Sequence, residues 1–454
     1  MWSSGNNRIR GGLSLLVAGA TLGALGTNPA FAQSTSSDSI WSRSNLLGDM
    51  GGLRSPLGDH GITLDFNDSE NLLGNVSGGV KRGATLQGVT TGSLEVDTGQ
   101  AFGLEGGRFH VSALQIHGQQ LSPSYLDNLQ TANGNEARDG TRLWELWYDQ
   151  AFFNGKADIK LGEQSLDNEF IVSPNSSLFV NTMAGWPMIP SVDLYGGAPA
   201  YPLSSLGVRL QVKPTDNQSI LAGVFDDNPG GGAFSDDAQM LDNHGTNFNM
   251  NTGALWIAEY QYSLPGNFPP GTYKLGGWYD SGYYRDQRYG TDGLSLSNAR
   301  SNGNAIMHRG NYGIYIVVDQ MVWKSQSDSA RTLNLFGRVM GAPDAQNEID
   351  FSFNGGVTMT APLPGRDDDQ AGIDFGLARV SSRAAALDRD SGLPVRGTEE
   401  LLEFTYNAQV MPWLMVQPDL QYIVSPGAGI QDPNDPSRKL RNELVIGLRE
   451  VTAF

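Results

Sequence analysis

Apolar and polar residues alternate along most of this chain. In 401–410 (LLEFTYNAQV), Leu402, Phe404, Tyr406, Ala408 and Val410 share one face, and Glu403, Thr405, Asn407 and Gln409 share the other. In 350–360, Phe351, Phe353, Val357 and Met359 oppose Asp350, Ser352, Asn354, Thr358 and Thr360. In 414–424, Leu414, Val416, Leu420, Tyr422 and Val424 oppose Gln417, Asp419 and Gln421. A period of two is that of an extended strand with one apolar and one wet face. Runs of about 8–11 residues suit a tilted membrane strand better than the shorter strands of a soluble sheet.

Sixteen such segments can be traced, beginning near 62, 84, 108, 143, 157, 206, 218, 254, 272, 312, 331, 349, 371, 400, 413 and 441. Their connections alternate in length. Short turns such as Asn154-Gly155-Lys156 follow the even-numbered segments, and long loops follow most odd ones, the longest at about 166–204. An even strand number, short turns at one end, long loops at the other and both termini at the short end predict an all-β fold. It is a closed, sixteen-stranded antiparallel transmembrane β-barrel over 61–454. The proposed outer faces carry Leu, Val, Ile, Phe, Tyr and Trp; Lys160, Arg209, Gln211, Lys213, Glu259, Arg338 and Asp374 fall on the other. A soluble barrel would bury the apolar set instead, but its interior has no room for sixteen strands' worth of such side chains. The porin arrangement, apolar outside and polar around water, fits.

The N-terminus reads as an export signal over 1–32. Arg8 and Arg10 form a basic region, Leu13 to Leu25 an apolar stretch, and Ala30-Phe31-Ala32 a cleavage site. Residues 33–60 form an N-terminal periplasmic segment. Beyond the signal no apolar run approaches the roughly 18 residues of a membrane helix, and the final strand ends on an aromatic, Phe454.

Composition narrows the function classes. The 454 residues include no cysteine, which excludes disulfide scaffolds, Cys-ligated zinc and thiol nucleophiles. A net charge of −18 argues against nucleic-acid binding. The 58 glycines and 17% charged residues point away from a helix-rich enzyme. No phosphate loop, H-E-x-x-H or G-x-S-x-G is present. His110 and His117, seven apart on a strand, face opposite ways and cannot form a metal pair. Asp367-Asp368-Asp369 lacks the spacing of a calcium loop and reads as a solvated turn. Neither a metal nor a cofactor is expected.

Two features carry chemistry. In 143–151 (LWELWYDQA), Glu145, Trp147 and Asp149 share the face opposite Leu146 and Tyr148. A tryptophan among carboxylates offers a flat surface to a sugar ring and acceptors to its hydroxyls; the same ring could simply fill the wall. The loop 166–204, with Phe179, Trp186, Tyr195 and Tyr201, is too apolar to stand in water. It is expected to fold into the barrel mouth and narrow the pore, with an outer cap or a subunit contact as the alternative.

Several motifs resemble the carbohydrate-selective porins of the OprB type. They include Leu47-Gly48-Asp49-Met50-Gly51-Gly52-Leu53-Arg54, Phe109 to Gly118 (FHVSALQIHG) and Trp144 to Gln150 (WELWYDQ). Further matches are Ile189-Pro190-Ser191-Val192-Asp193, Pro199-Ala200-Tyr201-Pro202, Leu221 to Phe225, Tyr406 to Trp413 and Val416 to Tyr422. The resemblance spans nearly the whole mature chain and departs at Glu163-Gln164. It implies a Gram-negative outer-membrane channel passing monosaccharides such as glucose down their gradient, and no enzyme. Its partners would be small carbohydrates and outer-membrane lipid, as a monomer or homotrimer. Carried over by motif, Glu145 and Trp147 line the channel, joined by His110, Lys81 and Arg82; the alternation adds Asp149, Arg209 and Arg338. The competing function is an outer-membrane or secreted sugar-processing enzyme, which would need a spaced carboxylate pair that no motif singles out.

Overall fold

The computed structural model describes residues 39–328 and 330–454. The expected signal, 1–32, lies outside the described residues. Sixteen strands close into one antiparallel barrel. They are β1 (Ile62–Ser77), β2 (Gly83–Asp97), β3 (Gly107–Gly118), β4 (Gly140–Phe152), β5 (Ala157–Gln164), β6 (Ser205–Thr215), β7 (Gln218–Asp226) and β8 (Ala254–Ser263). The ring continues through β9 (Gly271–Gly290), β10 (Ala305–Lys324), β11 (Thr332–Gly341), β12 (Ile349–Thr360), β13 (Gln370–Val380), β14 (Thr398–Met411) and β15 (Leu414–Val424). A small hairpin, β16 (Gln431–Asp432) and β17 (Asp435–Lys439), stands in the last long loop before β18 (Glu443–Ala453). β18 closes the ring by pairing with β15 and β1, where Leu448 faces Leu72 and Ala453 faces Asn67.

Closure satisfies every strand edge, the requirement for a sheet in lipid. The faces sort as the alternation predicts. Leu72, Leu161, Leu210, Leu275, Ile314 and Phe404 are exposed on the outside, while Asn71, Arg209, Glu259, Arg338, Asp374 and Glu403 are buried within. β10 differs from expectation, starting at Ala305 rather than near 312. Register shifts at Ala305/Met307 and Arg309/Asn311 break the period of two there, so the alternation is lost although pairing with β9 continues. Residues 39–60 lie against the short-turn end of the barrel. Leu46 N donates to Ala453 O (2.7 Å) and Trp413 Nε1 to Ile40 O (2.7 Å), and Arg54 reaches the carbonyl of Phe454.

The interior is filled by chain rather than left open. The loop 165–204, between β5 and β6, folds inward. Its Phe170, Ile171, Met183 and Ile189 pack against Phe225, Ile257, Trp278 and Tyr315 of the wall. Inward glycines on β13 admit it. A Cβ at Gly372 would stand 2.6 Å from Phe179 Cζ, and one at Gly376 would collide with Gln130 of the preceding long loop.

Candidate functional site

A loop inside a barrel leaves backbone groups without water, so each needs a partner from the wall. Inward carboxylates provide them. Glu145 accepts from Ser165 N (3.1 Å) and Asn168 Nδ2 (3.1 Å). Glu259 accepts from Ile171 N (2.9 Å), Asp319 from Asn175 N (3.2 Å) and Ser173 Oγ (2.7 Å), and Glu403 from Val180 N (2.6 Å) and Asn181 N (3.3 Å). Glu399 holds the loop 119–139 through Leu129 N (2.8 Å) and Gln130 N (2.7 Å). Arg338 supplies the complementary donors. It bonds the carbonyls of Ile171, Met183, Ala184 and Gly185, while Nε donates to Asn354 Oδ1 (2.9 Å).

The structure gathers five of the eight residues expected to line the channel on one wall, β3 to β6. His110 stacks on Trp147 with centroids 4.7 Å apart and planes 9° from parallel. Lys160 Nζ lies 4.3 Å from the Trp147 ring centroid and Arg108 Cζ 5.7 Å. Asp149 lies 3.4 Å from Arg108 Nη2 and 3.9 Å from Arg209 Nη2. Arg209 forks between Asp158 and Glu169, its Nε 2.6 Å from Glu169 Oε2. The Trp147 ring is thus flanked by the histidine of β3 and the ammonium of β5, and Glu145 has both oxygens on the loop. Arg338 stands apart on β11 as the loop's anchor. Lys81 and Arg82 are exposed on the β1–β2 loop, Lys81 Nζ 4.5 Å from the Tyr125 ring.

Open space lies next to this wall. A cavity of about 370 Å³ is bounded by the inner loop and by β1–β4, β13–β15 and β18. Aromatic surfaces come from Trp144, Tyr201, Trp186 and Phe179; neutral amides come from Asn67, Asn135, Asn407 and Gln417. Asp167 and Arg449 are its charged lining residues. Trp144 meets Tyr201 edge-on, with centroids 6.1 Å apart at 83°. Asp167 Oδ2 accepts from Tyr201 N (3.0 Å) and Oδ1 from Ser165 Oγ (2.5 Å). Burial nevertheless pushes its carboxyl up to about 6, against those hydrogen bonds.

Strict alternation places Trp144 outside, opposite Glu145. A β-bulge reverses this. Ser112 pairs with Glu145 and Ala113 with Leu143, leaving Trp144 as the extra residue, and both Trp144 and Glu145 are buried. The spacing of Trp144 and Trp147, three apart and hence out of phase on a strand, is the one trace of the bulge in the sequence.

A sixteen-stranded barrel, apolar outside, polar within and narrowed by a long inward loop, is an outer-membrane porin. The chain belongs to the carbohydrate-selective porin, OprB family, whose sequence profile matches residues 81–454. It is 26% identical to Porin B of Pseudomonas aeruginosa over 472 residues, covering 95% of this chain and 96% of that one. The high-pH structure of Pseudomonas putida OprB superposes with a TM-score of 0.80 at 22% identity, over 92% of this chain and 100% of that one. The low-pH structure of the same protein gives 0.56 at 18% identity, over 91% and 99%. Family and barrel place the chain in the Gram-negative outer membrane, as a channel rather than an enzyme.

Proposed function

We propose that this channel passes monosaccharides such as glucose passively, and that the cavity beside Trp144 and Tyr201 is where they are selected. The supporting observation is the cavity's lining, aromatic faces interleaved with neutral amides inside the barrel. Aromatic faces suit the C–H surface of a pyranose, and amides both donate to and accept from its hydroxyls. Such contacts replace water without holding the sugar long, as flux requires. His110, Glu145, Trp147, Asp149 and Arg209 shape the adjoining wall. Glu145 and Arg209 hold the inner loop, and the Trp147 ring is covered by His110 rather than offering a free face.

The test is single-channel conductance in a planar bilayer with increasing D-glucose. Glucose should block the open current, and Trp144→Ala should weaken that block about fivefold, the equivalent of ~1 kcal/mol of stacking. Absence of conductance steps would overturn the channel itself. Block of equal strength in the variant would move the selective station elsewhere in the lumen.

A further inference from the structure

Among the described residues, three inward arginines each have a protein partner for their terminal nitrogens. Arg142 donates to Asp242 O (2.7 Å), Arg209 forks between two carboxylates and Arg338 is saturated by backbone carbonyls. Arg449, on β18, makes a single hydrogen bond among the described residues, from Nε to Ser69 Oγ at 3.3 Å. It has no ion pair within 4.0 Å there, and it lines the cavity. Asp419 and Glu403 act on its charge, but neither comes within 4.0 Å of it among the described residues. Asp419 Oδ1 accepts from Gln421 Nε2 (2.8 Å), leaving Oδ2 without a partner, and Glu403 holds the inner loop. Neither Nη of Arg449 has a hydrogen-bond or ion-pair partner among the described residues, and the side chain borders the cavity. Around it stand Ser69, Gln417 and Asn67, which carry no charge.

A planar guanidinium with two free N–H pairs matches a carboxylate bidentately. The neighbouring amides and hydroxyl match a polyhydroxylated carbon chain. We propose that the cavity also takes sugar acids, molecules with one carboxylate and several hydroxyls such as aldonates, and that Arg449 is the residue that receives the carboxylate. This rests on the cavity's being the sugar station proposed above. Asp419, Glu403 and the cavity's own Asp167 temper the net charge, so the preference comes from the pairing at Arg449 and not from a general attraction for anions. Chloride gains little from it, whereas a carboxylate on a hydroxylated chain gains both contacts.

The experiment compares block by D-gluconate and by D-glucose in the same bilayers at constant ionic strength, with acetate as the anion lacking hydroxyls. In the wild type, gluconate should block at concentrations on the order of tenfold lower than glucose, with acetate well behind. In Arg449→Gln the gluconate-to-glucose ratio should fall to near one. Arg449→Lys, which keeps the charge and loses the fork, should fall between the two. Glucose block with no gluconate preference, or a preference that survives in Arg449→Gln, overturns this inference and leaves the sugar station standing. Failure of both solutes to block removes the station as well. The wild-type comparison decides the matter alone if a variant does not assemble, which heat-dependent gel mobility reveals.

Discussion

Asp167 sits where the inner loop meets the cavity, and its ionisation should be visible in the current. Burial raises its carboxyl to about 6, with the nearby Glu145 adding to the rise and the Ser165 and Tyr201 hydrogen bonds opposing it. A carboxyl whose pKa is higher folded than unfolded binds its proton more tightly in the folded state. Its contribution to stability is therefore full below about 3.8 and is lost as pH rises through about 6. The same deprotonation places a negative charge on the cavity wall. Reversal potentials in a KCl gradient should accordingly shift towards cation preference between about pH 5 and 7. Asp167→Asn should flatten at least half of that shift. Glu136, pushed up to about 7, also titrates in this range, but it is held by Ser122 and does not line the cavity. A full pH response surviving in Asp167→Asn would remove Asp167 from the conduction path.

At the scale of elements, the inner loop and the wall that receives it were shaped together. Gly372 faces inward on β13, and a methyl there would stand 2.6 Å from Phe179 Cζ and 2.9 Å from Leu178 Cδ2. Phe179 cannot easily yield, because its ring lies 5.5 Å from that of Phe336. Gly372→Ala should destabilise the barrel by about 1–3 kcal/mol through overpacking, seen as a lower thermal transition. Gly337→Ala, on β11 two strands away with open space around it, should be near neutral. Equal effects of the two would mean that the loop does not press on β13. These contacts mark the boundary of what the sequence discloses. Alternation is local and survives wherever one face meets lipid, so most strands could be placed within a few residues. It failed at Trp144 and at the start of β10, where bulges add a residue to one strand. It is also silent on partners. Glu145 and Trp147 could be assigned to the lumen, but the loop N–H groups on Glu145 and the histidine on Trp147 come from segments that meet only in the closed barrel. Arg449 could not be distinguished from the paired arginines for the same reason.

Over the whole molecule, the inner loop acts as a strut between distant parts of the ring. Glu259 on β8 holds it at Ile171, and Glu403, six strands away on β14, holds it at Val180 and Asn181. Losing one charged acceptor costs on the order of 1–3 kcal/mol, which shifts the balance between seated and displaced loop by roughly 5- to 150-fold. The two anchors are far enough apart for their free energies to add. Populations then multiply. Glu259→Gln alone or Glu403→Gln alone should leave the loop seated nearly all the time, because the other anchor, Asp319 and Arg338 still hold it. The double variant should reach the range where displacement is frequent, recorded in single-channel traces as excursions to higher conductance and weaker glucose block. If one single variant shows excursions as frequent as the double, the loop hangs from that anchor and the strut is no strut. The expected pattern, two quiet singles and a noisy double, would tie the pore's width to the closure of the barrel as a whole, since β8 and β14 are held apart by both arcs of the closed wall, six pairings one way round and ten the other.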